Sequence, residues 1–588
     1  MGGSIKSSMT PGVSLSPATV SVIALLSTNA AAPNALAVDG ISGNCRRWKA
    51  VLLDLSPLGP RLYLPTGWSG DAGSRRLSLN ADGVVVGSVE VAPAGGGSTS
   101  EVAWAWAPRT LSGYAIPAGV SRLPGLGETA EAPIESAACD LSDSGLAVGV
   151  SADSAVRWDL TSVGTPVAAF AISPPPSAAS AAFGIDRAAG VTVAGMTTAT
   201  CEGSGGGPGG SSSSSVARAF VGDSIALAGA TLPDQLLEGS ATIFRESLFG
   251  FACDGSSIWG VGHYEIPSSC SVVLSGPCQF SASRAFRWDP PNMLVQHVTG
   301  ASVPSAEAIR ARDANTVVGR ALEADSDPQC AQRAVIWENL TWSPTSRDLQ
   351  QFVPMSVGSD SSVALGVRRN LGGGTRVAGA ATIASTPGIH QSFTSAVIWD
   401  ECDGSWHAEF GLAPTVVQDL DSANPRVWSP QCENWSALAA YDASESGLFV
   451  GVSQQPSHRV FVATRMSDIN ADLVVNSLDL ASLLNTWGLL SDPCSPLAED
   501  VDANGSVGPQ DLAELLNDWT IGNVTGLESF CCTDEPAPME RLELALSICG
   551  EGCVDAFIGS AVNAPLGELQ ARGQLISETM EAIRRATN

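Results

Sequence analysis

The chain is 588 residues long, 44% hydrophobic and 15% charged, which suits a multidomain globular protein and excludes a disordered one. A formal net charge of −29, with only two lysines (Lys6 and Lys49) among 30 basic residues, argues against a nucleic-acid partner. The acidity is uneven: residues 466–588 hold 20 acids against 4 bases, which suits a cation ligand.

Residues 1–37 read as a signal peptide or a disordered leader. Lys6 is the sole early charge, Val20 to Leu26 form a short apolar core, and Ala35-Leu36-Ala37 is a small-x-small cleavage site. Secretion, or display at the cell surface, is expected on that ground. Spanning a bilayer takes roughly 20 apolar residues; no run here reaches that, so no integral membrane segment is expected. Among 14 cysteines, Cys270 and Cys278 flank a short loop and form the best disulfide candidate. Cys494, Cys531, Cys532, Cys549 and Cys553 crowd the C-terminal part. No histidine follows His458, which excludes a Cys/His zinc site there. An all-Cys site stays open, although an extracellular setting favours disulfides.

From 38 to 466 the dominant signal is repetition. Alternating apolar residues, a turn, x-V-x-G, a loop and A-[VF]-x-W recur seven times. The first half ends at Gly87, Gly149, Gly195, Gly260, Gly319, Gly379 and Gly451. The second half ends at Trp104 or Trp106, Trp158, Phe220, Trp288, Trp337, Trp399 and Phe461. Period-two alternation with Gly, Asp and Ser turns predicts antiparallel strands. One small sheet cannot bury both faces, so the units are expected to stack radially as a seven-bladed β-propeller, with the Trp and Phe side chains as core between blades. Arg46 to Ser56 (RRWKAVLLDLS) looks like the second half of a unit without its first half and would close the ring, with Arg459 to Ala463 competing for the same position. Cys201 to Ser215 is a flexible Gly/Ser loop in the third unit. The units resemble the bacterial extracellular HAF repeat, including its DLG-like strand at Asp54 to Gly59; that family carries no activity to transfer.

Residues 467–520 carry one pattern twice: DINADLVVNSLDLASLLNTW (Asp468–Trp487) and DVDANGSVGPQDLAELLNDW (Asp500–Trp519). Each begins with a twelve-residue loop presenting side-chain oxygens at positions 1, 3, 5 and 12. These are Asp468, Asn470, Asp472 and Asp479 in loop one, and Asp500, Asp502, Asn504 and Asp511 in loop two. A hard cation such as Ca²⁺ takes six to eight oxygens, and alternate side chains of a tight loop converge on one point. Position 7 adds the carbonyl of Val474 or Ser506. Position 9, at Asn476 and Gly508, usually acts through water. Asp/Asn-rich turns in which Asp479 and Asp511 merely cap the following helices are the plain alternative.

Both loops end in Asp where the general calcium-loop pattern ends in Glu. Position 6 needs a left-handed backbone, which Gly505 supplies freely and Leu473 adopts at about 1–2 kcal/mol. Two Ca²⁺ sites are therefore expected, the second stronger. After the loops, Leu480, Leu483 and Leu484 match Leu512, Leu515 and Leu516 on one helical face each, and the two faces are expected to pack together. This layout resembles dockerin type I modules. The resemblance implies two bound Ca²⁺ and docking onto a cohesin-type protein. Positions 10 and 11, which help select the cohesin in that family, are Ser477 and Leu478, then Pro509 and Gln510; the copies disagree, so a dual-orientation mode does not carry over. Residues 521–588 contain two amphipathic stretches that predict a helical extension, with Leu542, Leu544 and Leu546 breaking strict helical spacing.

No catalytic motif stands out: GxSxG, HExxH and a phosphate-binding Gly-Lys-Ser/Thr loop are missing, and the five histidines are scattered singly. CDGSSIW (Cys253–Trp259) matches the Asp-box turn of sialidase propellers once and in part. Two functions follow. One is a secreted binding or structural protein that presents propeller loops to a glycan or protein. The alternative is a carbohydrate-active enzyme, a polysaccharide hydrolase or lyase, acting at the central mouth and tethered through the calcium module. Arg, Asp, Glu and Tyr converging on the axis would favour the enzyme.

Overall fold

In the computed structural model the described residues lie between Arg47 and Trp519, interrupted at connecting segments of which 65–76, 203–212, 232–244 and 266–282 are the longest; over most of 196–304 only the backbone is described. The leader, the Cys270–Cys278 pair, the tip of the Gly/Ser loop, the four cysteines beyond Cys494 and the expected C-terminal helices fall outside them.

The described chain is mainly β, in a propeller arrangement, with two short α-helices near its end. Each repeat lays down antiparallel strands in chain order, as in Ser136–Leu141, Leu146–Ser151, Ser154–Asp159 and Ala169–Ala171. The repeated glycine has a steric cause. In several repeats the innermost strand carries a bulge, between Ala138 and Asp140, Ala308 and Arg310, and Ala364 and Gly366. The bulge tips a carbonyl onto the neighbouring strand, and a Cβ on Gly149, Gly319 or Gly379 would lie 1.9, 1.9 or 2.1 Å from that oxygen.

Where its side chain is described, the aromatic at the end of the second half is core between units. Trp158 packs against Val84, Val86 and Ala105 of the preceding repeat, and Trp399 against Val318 and Ile336. Both indole N–H groups are satisfied, on the carbonyls of Pro124 and Leu349.

Hydrogen bonding corrects the expected seven blades to five, each a sheet holding a single repeat. Six sheets form among the described residues: five hold one repeat each, and the sixth runs the third and fourth repeats together in eight strands. The third repeat's strand Ser213–Asp223 is 11 residues long, but its outer partner Ala228–Thr231 covers only Phe220–Asp223. The open edge left behind is taken by the next repeat, with Ala217 pairing Arg245 in parallel.

Ring closure follows the N-terminal strand. Trp48–Leu52 pairs antiparallel with Arg459–Arg465 and, on its other side, parallel with Val416–Asp419. The two segments expected to compete for one position are instead neighbours in the last sheet.

The chain passes from Arg465 straight into the paired loops. Helix α1 (Ser477–Asn485) follows loop one and α2 (Pro509–Asn517) follows loop two. Leu480, Leu483, Leu484 and Leu515 are buried in one cluster with Met466, Val501, Val507 and Trp519, with Leu512 and Leu516 packed at its edge. Among the described residues no helix is long and apolar enough to cross a membrane.

Candidate functional site

The two loops share a backbone design. Positions 4 and 6 are left-handed in both: Ala471 and Leu473 (φ 60° and 65°), Ala503 and Gly505 (φ 53° and 92°). The position-12 carboxylate ties each loop to its helix. Asp479 accepts the Asn470 and Asn476 amides at 3.1 and 2.8 Å. Asp511 accepts those of Asp502 and Gly508 at 3.0 and 2.7 Å. The bonds from Asn476 and Gly508 are the helix-capping bonds of the plain alternative, and all four use part of each carboxylate's acceptor capacity.

In loop two, carboxylate oxygens of Asp500, Asp502 and Asp511 lie within 4.8 Å of one another, the one such trio of metal-binding groups among the described residues. Two oxygens on opposite sides of an ion with bonds of about 2.4 Å sit about 4.8 Å apart, so the spacing fits a calcium-sized ion. Asp500 is 2% exposed. Its Oδ2 accepts the Gly505 amide at 3.1 Å, while its buried Oδ1 has no hydrogen-bond partner. A buried carboxylate oxygen without a donor is costly, and a hard cation is the group its chemistry suits. Burial, then the charges of Asp502 and Asp500, push the Asp511 carboxyl above its ordinary range, against the pull of its two amide donors. Asn504 donates its side-chain amide to Asp502 at 2.6 Å and so orients that carboxylate.

Loop one is built differently. Both Asp468 oxygens have donors: Oδ1 accepts the Asp472 amide at 3.1 Å, and Oδ2 the Leu473 amide at 3.2 Å and the Thr464 hydroxyl at 3.0 Å. The loop is pressed against the propeller. Arg109 donates to the Asp472 carbonyl at 2.7 Å and Gln418 to that of Ile469 at 3.3 Å. Leu473 is fully buried in the cluster that holds Leu448, Trp104 and Trp106. Gly83 leaves it room, since a Cβ there would sit 2.6 Å from Leu473 Cδ1. Burial of a leucine, about 1.5–3 kcal/mol, holds the side chain in its left-handed position. Asn476 caps α1 by accepting the Leu478 amide at 2.8 Å. Burial first, then the Asp468 charge, push the Asp479 carboxyl up to about 8; burial pushes Asp468 up to about 6, with Lys49 pulling it down.

Sequence reasoning missed two partners of these loops. Lys49, in the ring-closing strand, donates from Nζ to the Asp468 carbonyl and is 1% exposed. The signal for it was a lone lysine in a strand otherwise apolar, WKAVL. Cys494, between the loops, is disulfide-bonded to Cys432 of the propeller, 62 residues away; no spacing rule pointed to that pair.

The propeller axis gathers charge as well. Asp140 and Asp442 lie just after the bulges of two inner strands and Arg310 after that of a third. Arg310 Nη1 meets Asp140 Oδ1 at 3.0 Å, Arg187 pairs with Asp442, and the Ser78 hydroxyl donates to Asp140 at 2.7 Å. Each acid also buckles its unit to the next, Asp442 accepting the Leu79 amide and Asp140 the Ile185 amide, both at 3.1 Å. Of the side chains expected to converge in an enzyme, Arg and Asp do so among the described residues. With Arg310, Asp140 and Asp442 at most 2% exposed, this is a buried ion-pair cluster.

No family model matches the chain, and no characterised sequence matches it. Solved structures that resemble it include the β-propeller domain of the trilobed protease from Pyrococcus furiosus, at 7% identity, 66% of this chain, 93% of that chain and a TM-score of 0.33. The acylaminoacyl peptidase of Pyrococcus horikoshii matches at 9%, covering 66% and 51%, with a TM-score of 0.36. A Trypanosoma rangeli sialidase bound to sialic acid matches at 7%, covering 72% and 60%, with a TM-score of 0.29. At these identities and scores they say nothing about ligand or activity.

Proposed function

We propose that the chain is a secreted, non-catalytic binding protein: a propeller of HAF-like repeats carrying a dockerin-like calcium module. The observation that carries the calcium reading is the buried, partnerless Oδ1 of Asp500 beside the carboxylates of Asp502 and Asp511. Asp500, Asp502 and Asp511, with the side chain of Asn504 and the carbonyl of Ser506, would hold the ion. Bound calcium supplies the positive charge that lets three acids sit together in a tight loop. The loop then fixes the start of α2, and with it the face the module offers a partner.

Docking is supported by where apolar surface is left exposed. Among the described residues four large hydrophobic side chains are exposed; three of them, Leu478, Leu489 and Leu490, belong to the module, Leu490 at 83%. Leu478 holds position 11 of loop one, where the dockerin resemblance puts partner selection. A cohesin-type domain or another extracellular protein is the partner this face suits, and the propeller loops would meet a polysaccharide or protein. The Cys432–Cys494 disulfide supports an oxidising, extracellular setting.

Titration calorimetry of the full chain with calcium, before and after chelation, tests the reading. Heat of binding and a rise in melting temperature are expected, both lost in Asp500→Ala. A chain indifferent to calcium and chelator would remove the metal and, with it, the dockerin reading.

A further inference from the structure

The two loops share a register, a pair of left-handed positions and a following helix, yet only one has a buried oxygen awaiting a cation. The difference is Lys49. It is one of two lysines in the chain, and it lies on the strand that closes the ring. In that ladder Lys49 stands directly opposite Thr464. Directly paired residues of antiparallel strands point to the same face, and both of these reach Asp468. Thr464 donates to its carboxylate, at 3.0 Å, and Lys49 to its main-chain carbonyl. Burial pushes the Lys49 pKa below its ordinary value, and the charges of Asp468, Asp479, Glu499 and Asp472 act against that by favouring the ammonium. An ammonium is a compact point charge with three donors, suited to the neutralising role a metal plays elsewhere. The donors already on Asp468 leave it no buried oxygen like Oδ1 of Asp500.

We infer that the Lys49 ammonium supplies the cation of loop one, so that the chain takes one divalent cation, at loop two. Loop one then acts as a metal-independent latch, joining the strand that closes the propeller to the module beyond it. The one-ion stoichiometry rests on the calcium reading of loop two; the latch does not. Leu473 fits the same role, because its side chain ties the loop into the propeller core.

Calorimetric titration of the full chain with calcium, together with thermal melts of wild type and Lys49→Met in excess chelator, separates the two ideas. One ion per chain is expected. Asp500→Ala should abolish binding, and Asp468→Ala, measured on whatever fraction folds, should leave one ion on loop two. Two ions per chain in the wild type would overturn the lysine's role while leaving the calcium reading intact. No ion at all would overturn the calcium reading, and the latch would then stand or fall on the melts. In chelator, Lys49→Met should lower Tm by several degrees; an unchanged Tm would overturn the latch.

Discussion

Loops one and two are close copies in sequence and backbone, and their surroundings set them apart. Loop one is mostly buried against the propeller, with Asp468, Ala471, Leu473, Val474 and Asp479 inside; loop two leaves Ala503 and Asn504 exposed and buries Asp500 and Asp511. Where the loop faces the ring, a lysine and a leucine from either side of the contact hold it. Where it faces water, three carboxylates converge and an oxygen is left over. One local pattern thus serves two ends, and the packing around it decides which.

Lys49→Met is the sharpest way to break the contrast. Removing one member of a buried charged cluster typically costs about 3–5 kcal/mol; denaturant unfolding in chelator should report a loss of that order, and a loss below about 1 kcal/mol would count against it. Calcium itself comes next: at a thousandfold excess over Kd, a ligand specific to the folded state stabilises by about 4 kcal/mol. Asp500→Asn should abolish that gain and Asp468→Asn should leave it, read as the calcium-dependent shift in midpoint.

Cutting the covalent tie should cost somewhat less. The Cys432–Cys494 bridge closes a loop with a sequence separation of 62, and loss of such a crosslink costs about 2–4 kcal/mol. Cys494→Ser should lower the unfolding free energy by that much under oxidising conditions and change nothing under reducing ones.

Position 6 sharpens the comparison further. Leu473→Gly relieves about 1–2 kcal/mol of left-handed strain but deletes a buried leucine, a change worth about 2–5 kcal/mol. A net loss of about 1–3 kcal/mol is expected from denaturant melts, whereas strain alone would predict a gain. Gly505 has φ 92° and no atom within 4 Å of an added Cβ. Gly505→Leu should therefore bear the strain without compensation, weakening calcium binding about tenfold in a titration. The smallest effect concerns the caps. Asn476 accepts the Leu478 amide, whereas Gly508 provides no side-chain cap. With its nearest neighbour 4.0 Å away, Gly508→Asn should stabilise by a few tenths of a kcal/mol; a measurable loss in melting would show that position 9 is needed for something else.

Much of the molecule was legible because its signals are local. Strand alternation, turn residues and the V-x-G/A-x-W recurrence follow from contacts within or between adjacent strands. The repeated glycine is demanded by a bulge in the preceding strand of the same unit. The oxygen pattern and the leucines of α1 and α2 likewise depend on the geometry of a single loop and a single helix. On that basis Asp500, Asp502 and Asp511 could be named together, and they do converge. Partial legibility came at the ring: the repeats were countable, but the sheets were not, because an over-long strand at Ser213–Asp223 left an edge that only the neighbouring repeat could fill.

What lies beyond sequence has one physical cause, the pairing of residues hundreds of positions apart. Asp140 meets Arg310 across 170 residues, Lys49 meets Asp468 across 419, and neither spacing leaves a mark on the chain. Local chemistry determined that this protein has a strand-rich repeat and two Asp/Asn-rich loops, each followed by a helix. Tertiary packing alone decided that Arg and Asp of separate repeats pair in a buried cluster, that the first strand closes the ring, and that loop one is held by a lysine while loop two keeps an oxygen free.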